Sequence, residues 1–222
     1  MEKKIGSIIA NVLLGIAILA GVWCLWKIIS APINFEKDYS VRSGAVINRI
    51  KDIRTAERQF KSKYQHFTAD FDTLINFILT DSIEYESKIA DENDSLAMVR
   101  AKAEWKKDKR NRGKKFQNVK KSYYNVKDSI FKHLTVDQVK DLKLIPFSNG
   151  QEFLLEAKML ETESKVVIPV VECRAPFKAF LNLEEYKQEV VNLIDDYDSM
   201  DKYPGIKFGD MNRGNNEAGN WE

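Results

Sequence analysis

The sequence predicts an α+β protein in which an N-terminal transmembrane helix continues into a long amphipathic helix packed on a small antiparallel sheet, with a charged helical insertion. Three observations carry this expectation. Ile5 to Trp26 is a run of 22 residues without a charge. Apolar residues then recur at helical spacing as far as Tyr64. After Lys140 the spacing changes to the alternation of strands.

The apolar run spans about 33 Å at about 1.5 Å per residue, enough to cross a hydrocarbon core. Lys3 and Lys4 bound it on one side and Lys27 on the other, with Trp23 and Trp26 near the end where indole rings favour the interface. Trp23, Leu25, Trp26, Ile28 and Ile29 are too bulky for the cleavage point of a signal peptide. A lipoprotein signal needs a small residue before its cysteine, and Trp23 precedes Cys24. We therefore expect a retained anchor over residues 1–34, meeting the lipid bilayer through residues 5–29, and a folded domain over 35–222. Charge counting alone does not orient it, because Lys27, Lys37 and Arg42 follow the run. The short tail with Lys3 and Lys4 favours an N-terminus inside and the large domain across the membrane.

Pro32 and Asn34 are expected to interrupt the helix just past the membrane, since proline lacks an amide donor and clashes with the preceding turn. Beyond them Val46, Ile50, Ile53, Phe60 and Tyr64 recur at steps of three, four or seven, marking a helix-packing face. With only a kink at Pro32, residues 5 to 64 form a stalk on the order of 90 Å long. His66 to Thr68 ends it, and Thr68 or Asp70 caps a short helix carrying Phe71, Leu74, Ile75 and Ile78 on one side. From about residue 80 to 132 the chain is highly charged and is expected to be helical with an exposed face, broken near Gly113.

Phe153, Leu155, Ala157 and Met159 alternate with Leu154, Glu156, Lys158 and Leu160, the pattern of a strand with one face on a core. A turn at Ser148 to Gly150 joins it to Ile145 to Phe147, and another at Thr162 to Ser164 leads into Val166 to Arg174. Connections this short make an antiparallel meander of about three strands. Pro169 points to an edge or a bulge. A helix is expected over Leu183 to Asp196 with Val190, Val191 and Ile194 inward, then a last strand at Ile206 to Phe208.

These features resemble known families. A membrane helix running into an amphipathic helix and then a small antiparallel sheet is similar to type IV pilins and pseudopilins. The stretch DIRTAERQFKSKYQHFTADFDTLINFI from Asp52 to Ile78 is similar to the segment where such proteins leave their long first helix. That stretch, with IPFSNGQEF at Ile145 to Phe153, YPGIKFG at Tyr203 to Gly209 and the terminal NNEAGNWE, resembles an uncharacterised family of single-pass envelope proteins of Bacteroidota. The prepilin leader itself is not matched: Gly6 precedes Ser7, and no acid occurs between Lys4 and Glu36. The resemblance implies a fold and a setting in the bacterial inner membrane, with the N-terminus cytoplasmic and the main domain periplasmic. It does not imply a pilus.

With 222 residues, 44% of them apolar, the chain holds the anchor and one domain of roughly 180 residues. Cys24 lies in the apolar run and Cys173 in a strand, so they are not expected to pair. No Gly-x-Ser-x-Gly elbow or glycine-rich phosphate loop occurs, and His66 and His133 stand 67 positions apart. We therefore expect no enzyme, no cofactor, and no catalytic or metal-binding residues. The acidic run Asp195, Asp196, Asp198 and Asp201 lacks the glycine and closing glutamate of a calcium loop and reads as a solvated helix end.

The net charge of +2 gives no global field, yet Lys102 to Lys121 holds ten basic residues against two acids. Lys106, Lys107, Lys109, Arg110, Arg112, Lys114 and Lys115 are the candidate anion- or partner-binding residues, beside a plainer reading as a solvated insertion balanced by the acids before it. The expected topology keeps them from nucleic acid. The expected role is a structural or interaction subunit of an envelope assembly, with other envelope or membrane proteins as partners and homo- or hetero-oligomers allowed. An anchored module docking on anionic lipid, polymer or an acidic partner is the alternative.

Overall fold

The computed structural model describes the backbone of residues 2–222 and the side chains of residues 13–222. The ends of the apolar run before Leu13 therefore lie outside the described side chains. The chain forms two compact units, residues 1–55 with 142–222, and residues 56–141.

Helix α1 runs from Glu2 to Tyr64 through Pro32. The expected interruption at Pro32 and Asn34 does not occur. The proline removes one backbone donor, and the intact turns on both sides carry the helix through that gap. From Leu13 to Ile29 every large apolar side chain is more than half exposed, so nothing among the described residues covers this segment. Helix α1 first meets its own unit at Phe35 and Tyr39, whose rings lie 5.7 Å from Tyr186 and 6.0 Å from Phe177. Val46, Ile50 and Ile53 follow, all fully buried, which continues the face their spacing predicts. Arg54 ties the helix to the C-terminus, donating to Glu222 at 2.6 Å and to the carbonyl of Glu217 at 3.3 Å.

The rest of this unit is a three-stranded antiparallel sheet with two helices. Its strands, labelled after the two of the other unit, are β3 (Leu154–Glu161), β4 (Val167–Pro176) and β5 (Gly205–Gly209), in the order β3-β4-β5. Ile145 to Phe147 is not a strand; only a single bridge, Leu144 to Glu152, forms there. The loop instead closes on itself through Ser148, which satisfies the backbone groups that a ladder would have used. Phe153 and Leu155 are buried and Ala157 is partly so, while Met159, the expected fourth member of that face, is 55% exposed. The reason is length, since β5 opposes only Glu172 to Pro176 of β4 and the sheet narrows beyond. Pro169 pairs with Met159 in that narrow part, where β4 is an edge on its other side. Between β4 and β5 lie α6 (Phe177–Phe180) and α7 (Lys187–Ser199). Val190 is buried but Val191 is 38% exposed, against expectation, because adjacent helical residues point about 100° apart.

In the second unit, the last turns of α1 (Ala56 to Tyr64) pack with α2 (Phe71–Thr80). Asp70 caps α2 by accepting from the amides of Asp72 and Thr73. Phe60, Phe67, Leu74, Phe77 and Ile78 are buried with Val126, Phe131 and Val139. The last three come from α4 (Val126–Ser129), the turn after it, and α5 (Val136–Lys140). The charged insertion contains the expected helix, α3 (Ser95–Lys107), but its flanks are strands. Strand β1 (Ser82–Lys88) pairs antiparallel with β2 (Val119–Asn125), Ser82 opposite Asn125 and Lys88 opposite Val119. The helical insertion is present as α3, and the reading of 80–132 is refined by the two-stranded ribbon that encloses it and by α4 after the ribbon. Cross-strand charge fixes that ribbon: Lys121 lies between Glu84 and Glu86.

Candidate functional site

Two surfaces follow from this architecture. The first is the bare segment of α1, the one helix among the described residues long and apolar enough to cross a membrane. Trp23 and Trp26 stand outward on it, and the amine of Lys27 lies 4.7 Å from the Trp23 ring centroid. Cys24 is exposed on this segment and Cys173 is buried in β4; neither is in a disulfide among the described residues.

The second surface is the insertion. Asn118 closes the open end of the ribbon by exchanging two hydrogen bonds with the backbone of Ala90, at 2.9 and 2.8 Å. Asp94 caps α3 through the amide of Ala97, and Asp108 ends it in a short 3-10 turn. Helix α3 buries only Ala101, leaving Leu96 and Val99 more than 60% exposed. The seven predicted basic residues all fall on the last turn of α3 and the loop after it, and all are exposed. Arg110 differs from the others: Asp108 holds its guanidinium at 2.8 Å. Those hydrogen bonds in turn keep the Asp108 carboxyl below its ordinary range. Lys106, Lys107, Lys109, Arg112, Lys114 and Lys115 make no ion pair among the described residues. Trp105 meets Phe116 edge-on, with ring centroids 5.8 Å apart, beside Lys114 and Lys115. Six cations without an ion pair among the described residues thus follow one another on this segment, two of them beside the aromatic pair, while Lys121 is held on the ribbon.

The predicted packing residues divide between the units. Val46, Ile50 and Ile53 lie in the core of the first, and Phe60 in that of the second. Tyr64 is 43% exposed at the rim, its ring 4.6 Å from Phe60 and its hydroxyl donating to Asp81 at 2.6 Å. Lys63 pairs with the same carboxylate, and that hydrogen bond raises the lysine's pKa. His66 and His133 are exposed in separate segments. Among the described residues no three His, Cys, Asp or Glu side chains are gathered to hold a metal ion.

Sequence reasoning missed Glu57. It is fully buried on α1 and accepts the amide of Thr68 at 3.1 Å, while its other carboxyl oxygen has no partner. Burial pushes its pKa up to about 8, against the partial relief of the Thr68 amide. No sequence signal marks it, since a glutamate among Arg54, Arg58 and Lys61 reads as a surface charge.

No family model, curated protein or solved structure matches this chain.

Proposed function

We propose that this chain is a non-enzymatic, single-pass subunit of a bacterial envelope assembly, serving secretion, motility or outer-membrane transport. In this reading the N-terminus is cytoplasmic, the helix crosses the inner membrane, and the folded units lie in the periplasm. The observation that carries it is the continuity of α1, which turns from bare apolar surface at Leu13 to Ile29 into buried core at Val46 to Ile53 without a break. A simple tether would need no such continuity. A helix shared by bilayer and core transmits position from one to the other, as in the pilin-like architecture the sequence resembles. The test is photo-cross-linking in native membranes from a probe at exposed Lys51. A discrete adduct with another envelope protein or a second copy is expected. A monomer with no adduct would remove the proposal.

A second reading is favoured by the six unpaired cations on the insertion: an anchored module that docks on a polyanion. Protein held in nanodiscs of neutral lipid should bind polyphosphate, more weakly as salt rises. Replacing Lys106, Lys107, Lys109 and Arg112 with glutamine should then lower affinity by roughly tenfold or more, at about 1 kcal/mol per exposed charge contact at most. Unchanged binding would sink this reading.

A further inference from the structure

In the first unit, the loop from Ile145 to Gln151 holds one residue in a conformation that L-residues disfavour. Phe147 has φ of +62°, in the left-handed region, and is 53% exposed, so no core packing demands it. The loop imposes it instead. The Ser148 hydroxyl donates to the carbonyl of Ile145 at 2.7 Å and accepts the Gln151 amide at 3.0 Å, and Gly150 completes the turn at φ +80°. Strain of this kind gathers where a binding surface is held in place.

What the strained residue achieves is a position over Arg42, whose guanidinium carbon lies 5.0 Å from the Phe147 ring centroid. Arg42 is fixed on its other sides as well. Its Nε donates to Asp38 at 2.9 Å and its Nη1 to the carbonyl of Phe180 at 2.9 Å. Its Nη2 makes no hydrogen bond among the described residues. Arg42 lines a cleft of about 480 Å³ together with the Phe147 loop and residues 178–184. Lys178, Asn149 and Gln151 also line it, and their side-chain nitrogens bond to nothing else among the described residues. Ala179, Leu181 and Leu183 supply an apolar wall.

We infer that this cleft binds the free carboxylate of a small ligand carrying an apolar group, with Arg42 as the anchor. A guanidinium held rigid on an aromatic face suits a planar carboxylate, and the two amides and Lys178 can complete its hydrogen bonding. Glu184 in the same wall repels a doubly charged phosphate more strongly than a monoanion. The inference is independent of whether the chain is an assembly subunit.

The full chain in detergent micelles, labelled at asparagine and glutamine, tests it by nuclear magnetic resonance. N-acetyl-leucine should shift the side-chain amides of Asn149 and Gln151 and saturate in the millimolar range expected of so small a ligand. N-acetyl-leucinamide and inorganic phosphate should shift neither. Arg42→Lys should weaken binding at least tenfold, and Lys178→Gln, at an exposed position, severalfold without touching the fold. Phe147→Gly frees the loop of its unfavourable φ and keeps the protein folded, yet should weaken binding severalfold. Equal binding of the neutral amide, phosphate binding as strong as that of the carboxylate, or affinity unchanged in both Arg42→Lys and Lys178→Gln would overturn the proposal.

Discussion

Glu57 is a carboxyl placed where its charge is least welcome. The folded protein holds its proton up to about pH 8, whereas the unfolded chain releases it near 4.5. Between those values the native state binds more protons, so this group's contribution to stability is full below about pH 4.5. It falls as pH rises through 8, by at most about 1.4 kcal/mol per pH unit. Glu57→Gln mimics the neutral form and can still accept the Thr68 amide. Its unfolding temperature should therefore match the parent's near pH 4 and exceed it increasingly toward pH 8. Parallel curves for the two proteins would show that Glu57 titrates normally. No pattern in the sequence foretells this, because burial of a glutamate is set by what folds over it and not by its neighbours in the chain. The Arg42 cleft was hidden for a related reason: its parts sit at positions 42, 147–151 and 178–184, and only folding brings them together.

At the scale of elements, what could be read from the sequence follows how one-sided each element is. The outer half of helix α1 and strand β3 bury one face each, so period and alternation announce them, while β4 is buried on both faces from Val170 to Cys173 and is announced by its run of β-branched residues. The ribbon β1-β2 exposes most residues on both faces, with Tyr85, Tyr123 and Tyr124 all more than half exposed. Its register rests on Lys121 between Glu84 and Glu86, and a pattern of charges carries no period that separates strand from helix. The basic residues of the insertion were legible as a composition, but that Asp108 withdraws Arg110 from the group was not. Strand β5 shows how narrowly an element can depend on one residue. Gly209 has φ of +80°, and a Cβ there would lie 1.9 Å from the carbonyl oxygen of Val171. Gly209→Ala must therefore displace β5 from β4, adding a clash to a conformational cost of roughly 1–3 kcal/mol. Its unfolding midpoint should drop by several degrees or more. An unchanged midpoint would mean the strand end is free to shift.

For the whole molecule, α1 makes the position of a cut decisive. Between Ser30 and Asn34 the helix has passed its bare segment and has not yet reached Phe35 and Tyr39, the first side chains that pack on their own unit. A chain beginning at residue 34 loses no buried side chain of the described protein, and it should be released from membranes still folded. A chain beginning at Arg54 loses Val46, Ile50 and Ile53, each fully buried. At about 1.5–3 kcal/mol per side chain these three alone are worth roughly 5–9 kcal/mol. That rivals the ~5–15 kcal/mol by which a domain is stable at all. The Arg42 bond to the Phe180 carbonyl goes with them. Amide hydrogen exchange of β3, β4 and β5 in the two fragments checks this. Slow exchange is expected in the 34–222 chain and loss of protection in the 54–222 chain. If the shorter fragment kept its sheet protected, the helix would be an attachment to the unit and not its core, and position in the bilayer could not be coupled to the fold through it.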